Sequence, residues 1–444
     1  MKMIVAAVLC IMLAAPSVSS ALGFRLLTAH KDARFINGPD PLNRFGFVRV
    51  GRDHALLPLV SPACPTVSSV DLESYPQATA RVIRQLRSQL DCTKWFPVKH
   101  GWAYRNPLGP VRAIHYASAG MRIDFAGPSV DLQGPVGYLQ AQLTIGSTRY
   151  RARFHNFRRN DPFLIRARRP SQAAAAGEAG FWDVLTGDNH SEAYTQQTIA
   201  YLQDAAQHSP QDGWSRFLLA MLHLYRFGQV TVGYTNIDPQ AVADLDAANA
   251  SFTQALPLLW DGAHGDSRVP GFAAAAEYMQ GVVHRDSTLR ARGLADLAQA
   301  LSVNALFNVF DYIPVIQAVA PGDPEFATAF GVAASYISDP STFACVATQP
   351  EICANDGFAP HNIQGALTLF GDVFAKGGDL DGAKRYYTLA SELAGGSDWG
   401  FAAILQPRLA NTAARVAAYE DNDPTNDPPI IGAGPEACAV CHVR

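Results

Sequence analysis

Charged residues are scarce: Asp, Glu, Lys and Arg make up 17% of the 444-residue chain, and the net charge is only -4. Globular chains carry about a quarter. Neither a basic surplus nor an interleaving of aromatic and basic residues is present, which argues against a nucleic-acid partner. Cysteine is limited to seven residues and methionine to six. A single apolar run stands out, Ile4–Ala15, and it is shorter than the roughly 20 residues a spanning helix needs. No phosphate-binding glycine loop, nucleophile triad or paired-acid site is recognisable.

The apolar run follows Met1-Lys2-Met3, is broken by Pro16, and ends at the small residues Ser19-Ser20-Ala21. This pattern reads as a secretory signal peptide, residues 1–21, cut near Ala21. Cys10 lies inside it, and Leu9 before it is too large for a lipoprotein signal. The expectation is a soluble exported protein, periplasmic or secreted, with no transmembrane segment. Six cysteines then remain: Cys64, Cys92, Cys345, Cys353, Cys438 and Cys441. In an oxidising compartment an even number suggests pairs. Proximity favours Cys64 with Cys92 and Cys345 with Cys353, although connectivity does not follow from sequence.

The chain changes character near its middle. Residues 22–175 have β character. Leu139, Ala141, Leu143 and Ile145 alternate in "YLQAQLTI", and "RYRARFHNF" alternates again after a Gly-containing turn, which predicts a hairpin. A helix is predicted over "PQATARVIRQLRSQL", Pro76–Leu90, and loop or short strand over Trp95–Gly109. The Arg-rich stretch Arg149–Arg169 is either a solvated strand face or a contact for an anion such as a haem propionate, an acidic partner or a carboxylated ligand. "RPSQAAAAGEAG", Arg169–Gly180, reads as the join, and "GEAGFWDVL" after it as packing. Helices are predicted near 191–208, 212–228, 239–256, 270–285, 287–306, 324–337, 362–377, 380–394 and 399–419. Asp238, Asp323 and Asp398 are candidate N-caps. The polar, Pro- and Gly-rich stretch 421–437 reads as a linker.

One helix pair resembles the tetratricopeptide repeat. "FGDVFAKGGDLDGAKRYYTLA" places Phe370, Gly371, Phe374, Gly378-Asp379, Ala383, Tyr387 and Ala390 at the positions of that pattern. Ala248, Phe252 and Ala255 repeat its second half, and Trp214 stands where a first helix carries its aromatic. The expected closing Pro after Ala390 is absent. The resemblance implies an α-solenoid over 190–420. The expected fold class is therefore mostly α, a tetratricopeptide-like solenoid preceded by a smaller α+β domain.

The chemistry lies in the last residues. Cys438-Ala439-Val440-Cys441-His442 is C-x-x-C-H, the attachment signature of c-type cytochromes. The resemblance implies one covalent haem c on the 421–444 tail. Cys438 and Cys441 add to its two vinyl groups, and His442 is the proximal iron ligand. A disulfide or thioredoxin-type pair would need a βαβ context. Zinc would need a fourth ligand. Soluble cytochromes c carry the motif near the N-terminus with a methionine downstream. Here only Val443 and Arg444 follow, so a distal ligand must come from upstream or from a partner. Past residue 21 the methionines are Met121, Met221 and Met279. Among the histidines His361, in "APHNIQG", is the preferred distal candidate, and His223 and His284 read as satisfied core residues. The expected function is electron transfer or redox sensing, with the solenoid as docking surface for a redox or scaffold protein partner. Two alternatives stand: a periplasmic scaffold or assembly factor with a structural haem, and a peroxidase-type enzyme. The sequence decides no enzymatic activity.

Overall fold

The computed structural model describes residues 24–26, 32–36, 42–47, 60–76, 83–117, 120–126, 136–146, 148–155, 157–160, 164–167, 170–187, 189–230, 237–262, 265–339, 361–394, 399–421, 423, 426–431 and 441. Residues 1–21, expected as a signal peptide, and Cys345, Cys353, Asp398, Cys438 and His442 lie outside them. The architecture is mostly helical, with two β-sheets preceding the helices.

The strands are β1 (Phe24–Leu26), β2 (Asp32–Ile36), β3 (Leu42–Phe47), β4 (Ser68–Pro76), β5 (Ile83–Leu90), β6 (Trp95–Val98), β7 (Gly101–Arg105), β8 (Val111–Ala117), β9 (Gly120–Ala126), β10 (Val136–Ile145), β11 (Thr148–Phe154), β12 (Phe157–Asn160) and β13 (Leu164–Ala167). They form a five-stranded sheet, β1-β11-β10-β4-β5, and an eight-stranded sheet, β12-β13-β2-β3-β9-β8-β7-β6. Pairing is antiparallel except for β1 with β11. The alternation of β10 explains the stacking. Leu139, Ala141, Leu143 and Ile145 are fully buried and share one apolar core with Ile114, Ile123 and Phe125 of the other sheet. The sheets are also joined by hydrogen bonds, from Trp95 Nε1 to Ser68 Oγ at 3.1 Å and between the Tyr116 and Tyr150 hydroxyls. A Cys64–Cys92 disulfide links the approach to β4 with the short 3-10 turn Cys92–Lys94 after β5.

The helix expected over Pro76–Leu90 is not there: β4 ends at Pro76 and Ile83–Leu90 is strand β5. Ile83, Leu86 and Leu90 are spaced as on a helix face, and Arg, Gln and Leu favour helix. Pairing with β4 overrides that preference. A register irregularity at Leu72/Glu73 lets Leu86 meet Leu72 while Arg84 meets Glu73.

The helices are α1 (Gln172–Leu185), α2 (Glu192–His208), α3 (Gly213–Val230), α4 (Pro239–Leu259), α5 (Val269–Val283), α6 (Ser287–Val303), α7 (Ala305–Asn308), α8 (Ile313–Ala318), α9 (Pro324–Ser338), α10 (Asn362–Lys376), α11 (Leu380–Ala394), α12 (Leu405–Ala410) and α13 (Thr412–Glu420). Successive helices pack in pairs, α1 with α2, α3 with α4, α5 with α6 and α10 with α11. The 169–180 stretch, expected as a join, instead opens helix α1, capped by Ser171 Oγ accepting from Ala174 N–H at 3.0 Å. Its glycines serve close approach: a Cβ on Gly177 would lie 2.6 Å from Leu202 Cδ2 of α2. The region expected as one helix over 399–419 breaks at Asn411 into α12 and α13.

The outward face of the five-stranded sheet meets the helices. His155 stacks on Trp214 of α3 with ring centroids 3.5 Å apart. Arg268, before α5, lies 5.2 Å from the centre of the Tyr138 ring. Arg153, one of the arginines of the 149–169 stretch, is buried here, with its Nε donating to Gln140 Oε1 at 2.9 Å. It is therefore neither a solvated strand residue nor available to an outside anion.

Candidate functional site around His361 and Cys441

Helix α10 is the centre of the site. Ile363, Ala366, Leu367, Phe370, Val373 and Phe374 bury one face in the largest helical core. Gly371 allows α11 to approach: a Cβ there would fall 2.3 Å from Tyr387 Cδ1. Of the positions that carry the tetratricopeptide resemblance in this pair, Phe370, Gly371, Phe374, Ala383, Tyr387 and Ala390 are buried, and Gly378-Asp379, between the helices, are exposed.

Asp372 follows Gly371 and is fully buried. Its carboxylate accepts from the Tyr387 hydroxyl of α11, from Arg408 Nε at 3.0 Å and Nη2 at 3.1 Å of α12, and from Arg415 Nη2 at 2.8 Å of α13. It also accepts from the backbone N–H of Ile431 at 2.7 Å. Two guanidinium groups, a phenol and a peptide N–H converge on one carboxylate, which is how a buried charge is tolerated. Burial first, and the neighbouring Asp372 charge second, push the Tyr387 and Tyr419 phenols well above the usual tyrosine range. Both therefore stay protonated and donate.

This network pins the segment after α13. Ile430 and Ile431 are buried in the same core, the Tyr419 hydroxyl donates to the Pro428 carbonyl, and Arg415 Nη2 donates to the Pro429 carbonyl at 3.0 Å. Of the 421–437 stretch expected as a linker, the described residues 426–431 are not helical and are fastened to the helices. Beside them Lys376, nearly buried, donates to the Gln317 carbonyl at 3.2 Å. Burial lowers its pKa to about 8.

The tail then returns to the start of α10. The backbone N–H of His361 donates to the carbonyl of Cys441 at 3.2 Å. Cys441 is half-buried and packs against the apolar core that contains Ile363 and Phe370. His361 is itself 4% exposed. One motif cysteine and the distal candidate therefore share one place, and an apolar wall stands beside the thiol. The apolar wall beside Cys441 suits the face of a porphyrin. Among the described residues no group of three His, Cys, Asp or Glu is poised to hold a metal ion; Cys438 and His442 are outside them.

The other candidates are placed elsewhere. His223 is buried as expected, with Nδ1 2.7 Å from Asp244 Oδ1, whereas His284, expected in the core, is exposed at the end of α5, with Nε2 2.8 Å from Asp246 Oδ1. Met121 is in the sandwich core, and Met221 and Met279 pack in two further clusters, none of them the core that receives Cys441. The sequence reading missed Asp372. The signal was an acid inside the apolar run "LTLFGDVFAK", with Arg408 and Arg415 seven residues apart beyond it.

Comparison with family models, with curated proteins and with solved structures returned no match.

Proposed function

We propose that the chain is an exported mono-haem c-type cytochrome-like protein for electron transfer or redox sensing. Its paired helices would form a tetratricopeptide-like docking surface for a redox or scaffold protein. The observation that supports this most directly is the hydrogen bond from His361 N–H to the Cys441 carbonyl, which sets that one cysteine of the C-x-x-C-H motif beside a buried histidine. Cys438 and Cys441 would hold the haem by thioether bonds, and His442 would be the proximal ligand. His361 is the candidate for the opposite side. Haem c supplies one-electron transfer when bound. Ile363, at the start of α10, belongs to the apolar core against which Cys441 packs. No described helix is long and apolar enough to cross a membrane.

The test is expression with a c-type maturation system, denaturation, and a haem stain of the gel. Stain on the wild type and its loss in Cys438→Ala/Cys441→Ala are expected; an unstained wild type overturns the reading. A visible spectrum then separates electron transfer, which requires a reversibly reducible low-spin iron, from a peroxidase, which requires a high-spin iron that binds peroxide.

A further inference from the structure

Asn308, the last residue of α7, is fully buried, and its hydrogen bonds fix which way the amide points. Nδ2 donates to the Ser267 carbonyl at 3.0 Å and to the Ala300 carbonyl at 2.7 Å. The amide oxygen is left over, and Oδ1 is buried with no hydrogen-bond partner. Three residues later, in the 3-10 turn Val309–Tyr312, the Asp311 carboxyl is in the same condition. The residue is 5% exposed, and Oδ2 is buried with no partner. Both oxygens face Gly271 in the first turn of α5. A Cβ on that glycine would lie 2.0 Å from Asp311 Oδ2 and 2.9 Å from Asn308 Oδ1. Two acceptors thus flank one spot, and the glycine leaves room for them.

Two acceptors cannot satisfy one another, and leaving both unpaired in a core is costly. Something positive must stand between them. The turn packs on α5, α6, α7, α8 and α9, and the cations on those elements are committed to other acids. Arg292 of α6 is bound to Glu277 of α5. Arg290 of α6 is bound to Glu325 of α9, which also accepts from the Tyr278 hydroxyl of α5. Arg268, just before α5, is bound to Asp266. The other titratable groups there are Asp296, exposed on α6, and the phenols of Tyr312 and Tyr336. On α10, which Phe310 reaches, Asp372 is bound to Arg408 and Arg415, Lys376 donates to the Gln317 carbonyl, and His361 precedes the first turn. A calcium ion would need about six to eight oxygens. The Ser267 and Ala300 carbonyls beside Asn308 are already used by its Nδ2, and the α5 backbone closes the remaining side. A proton needs no such room.

We propose that Asp311 is a proton-dependent clamp: its neutral carboxyl donates to Asn308 Oδ1, which pairs both orphaned oxygens and lets the 309–312 turn lie on Gly271. As pH rises the proton leaves to solvent. The carboxylate then stands in the core with no counter-charge, and the turn is pushed off α5. The movement reaches α10, because Phe310 stacks on Phe370 with ring centroids 5.4 Å apart. The clamp does not depend on the haem reading.

Burial alone holds the Asp311 carboxyl well above the 3.8 of a free aspartate. Between those two values the folded chain holds one proton more than the unfolded chain, so this group makes stability fall as pH rises. Its contribution is fully present only below the lower value. Each pH unit in the window changes the folding equilibrium about tenfold.

The experiment uses the full chain and compares the wild type with Asp311→Asn, whose amide can donate to Asn308 at every pH. Urea unfolding at about pH 5 and pH 7 should show the wild-type folding equilibrium falling about hundredfold further than that of the variant. Asp311→Ala also lacks the titrating group and should give the same flat profile if the Asn variant folds poorly. Infrared spectra at neutral pH should show a carboxylic-acid carbonyl band that both variants lack. At higher pH, hydrogen exchange in residues 304–316 should become faster in the wild type than in Asp311→Asn. Parallel pH profiles, an infrared band indifferent to both substitutions, or equal exchange at every pH overturn the proposal. So does stabilisation of the wild type alone by sodium or calcium chloride over choline chloride, which would give the two oxygens to a metal ion.

Discussion

Asp372 on helix α10 and Ile431 near the end of the chain are 59 positions apart, yet the carboxylate accepts the Ile431 N–H at 2.7 Å. The same oxygen pair receives two arginines and a tyrosine from three successive helices. A single buried charge thus closes α10, α11, α12, α13 and the tail into one unit.

Asp372→Ala leaves Arg408 and Arg415 without their shared counter-charge. Removing one partner of a buried ion pair costs about 3–5 kcal/mol. Urea unfolding should report a loss of that size, and limited proteolysis should cut the 421–431 region sooner. An unchanged midpoint with an unchanged cleavage pattern would contradict the role given to this carboxylate.

His361→Ala tests the distal side of the proposed haem. If the imidazole is the sixth ligand, the reconstituted protein should turn from low-spin to high-spin, with a shifted midpoint potential. An unaltered spectrum would remove His361 from the coordination sphere and leave the attachment chemistry of Cys438 and Cys441 intact.

Lys376 gives a pH signature. Its folded pKa, about 8, is below the 10.5 of a free lysine, because burial disfavours the ammonium. Between those values the unfolded chain binds more protons than the folded one, so this group makes stability rise with pH across that interval. Below it the full penalty is present. Lys376→Met should therefore be the more stable protein at neutral pH, by up to about 3 kcal/mol at 1.36 per pH unit. The advantage should shrink steadily toward pH 10.5.

The Cys64–Cys92 bridge closes a loop with a sequence separation of 28. Replacing both residues by Ser should cost about 2–4 kcal/mol. Non-reducing peptide mapping should recover the two peptides joined.

Gly371→Ala would drive a methyl into the Tyr387 ring. Overpacking of this kind costs about 1–3 kcal/mol. Thermal unfolding should show the loss, and Tyr387→Leu should recover part of it.

The long helices were legible because their signals are local. Asp238 accepts from Gln240 N–H at 2.7 Å and Asp323 from Glu325 N–H at 2.8 Å, as their Asp-Pro starts suggested. Helix α11 spans Leu380–Ala394, the range its periodicity predicts. What was illegible depends on distant partners. Strand β5 is a strand because β4 lies beside it. Helix α1 hid behind Gly177 and Gly180, residues that discourage helix in isolation and serve packing on α2 here. At the site, the five motif residues and His361 could be picked by chemical type. Asp372 could not, because its meaning resides in arginines 36 and 43 positions further along.

Fastening Ile431 also sets a radius of action. Ten residue steps separate it from Cys441, and a fully extended chain covers about 3.3–3.6 Å per step. Any group held by Cys441 is therefore leashed within about 35 Å of the α10–α13 core while the Asp372 contact lasts. If Cys441 holds the proposed haem, a redox partner would have to come to that sphere. The carboxylate that orders the helices would thereby decide which surfaces an electron can reach.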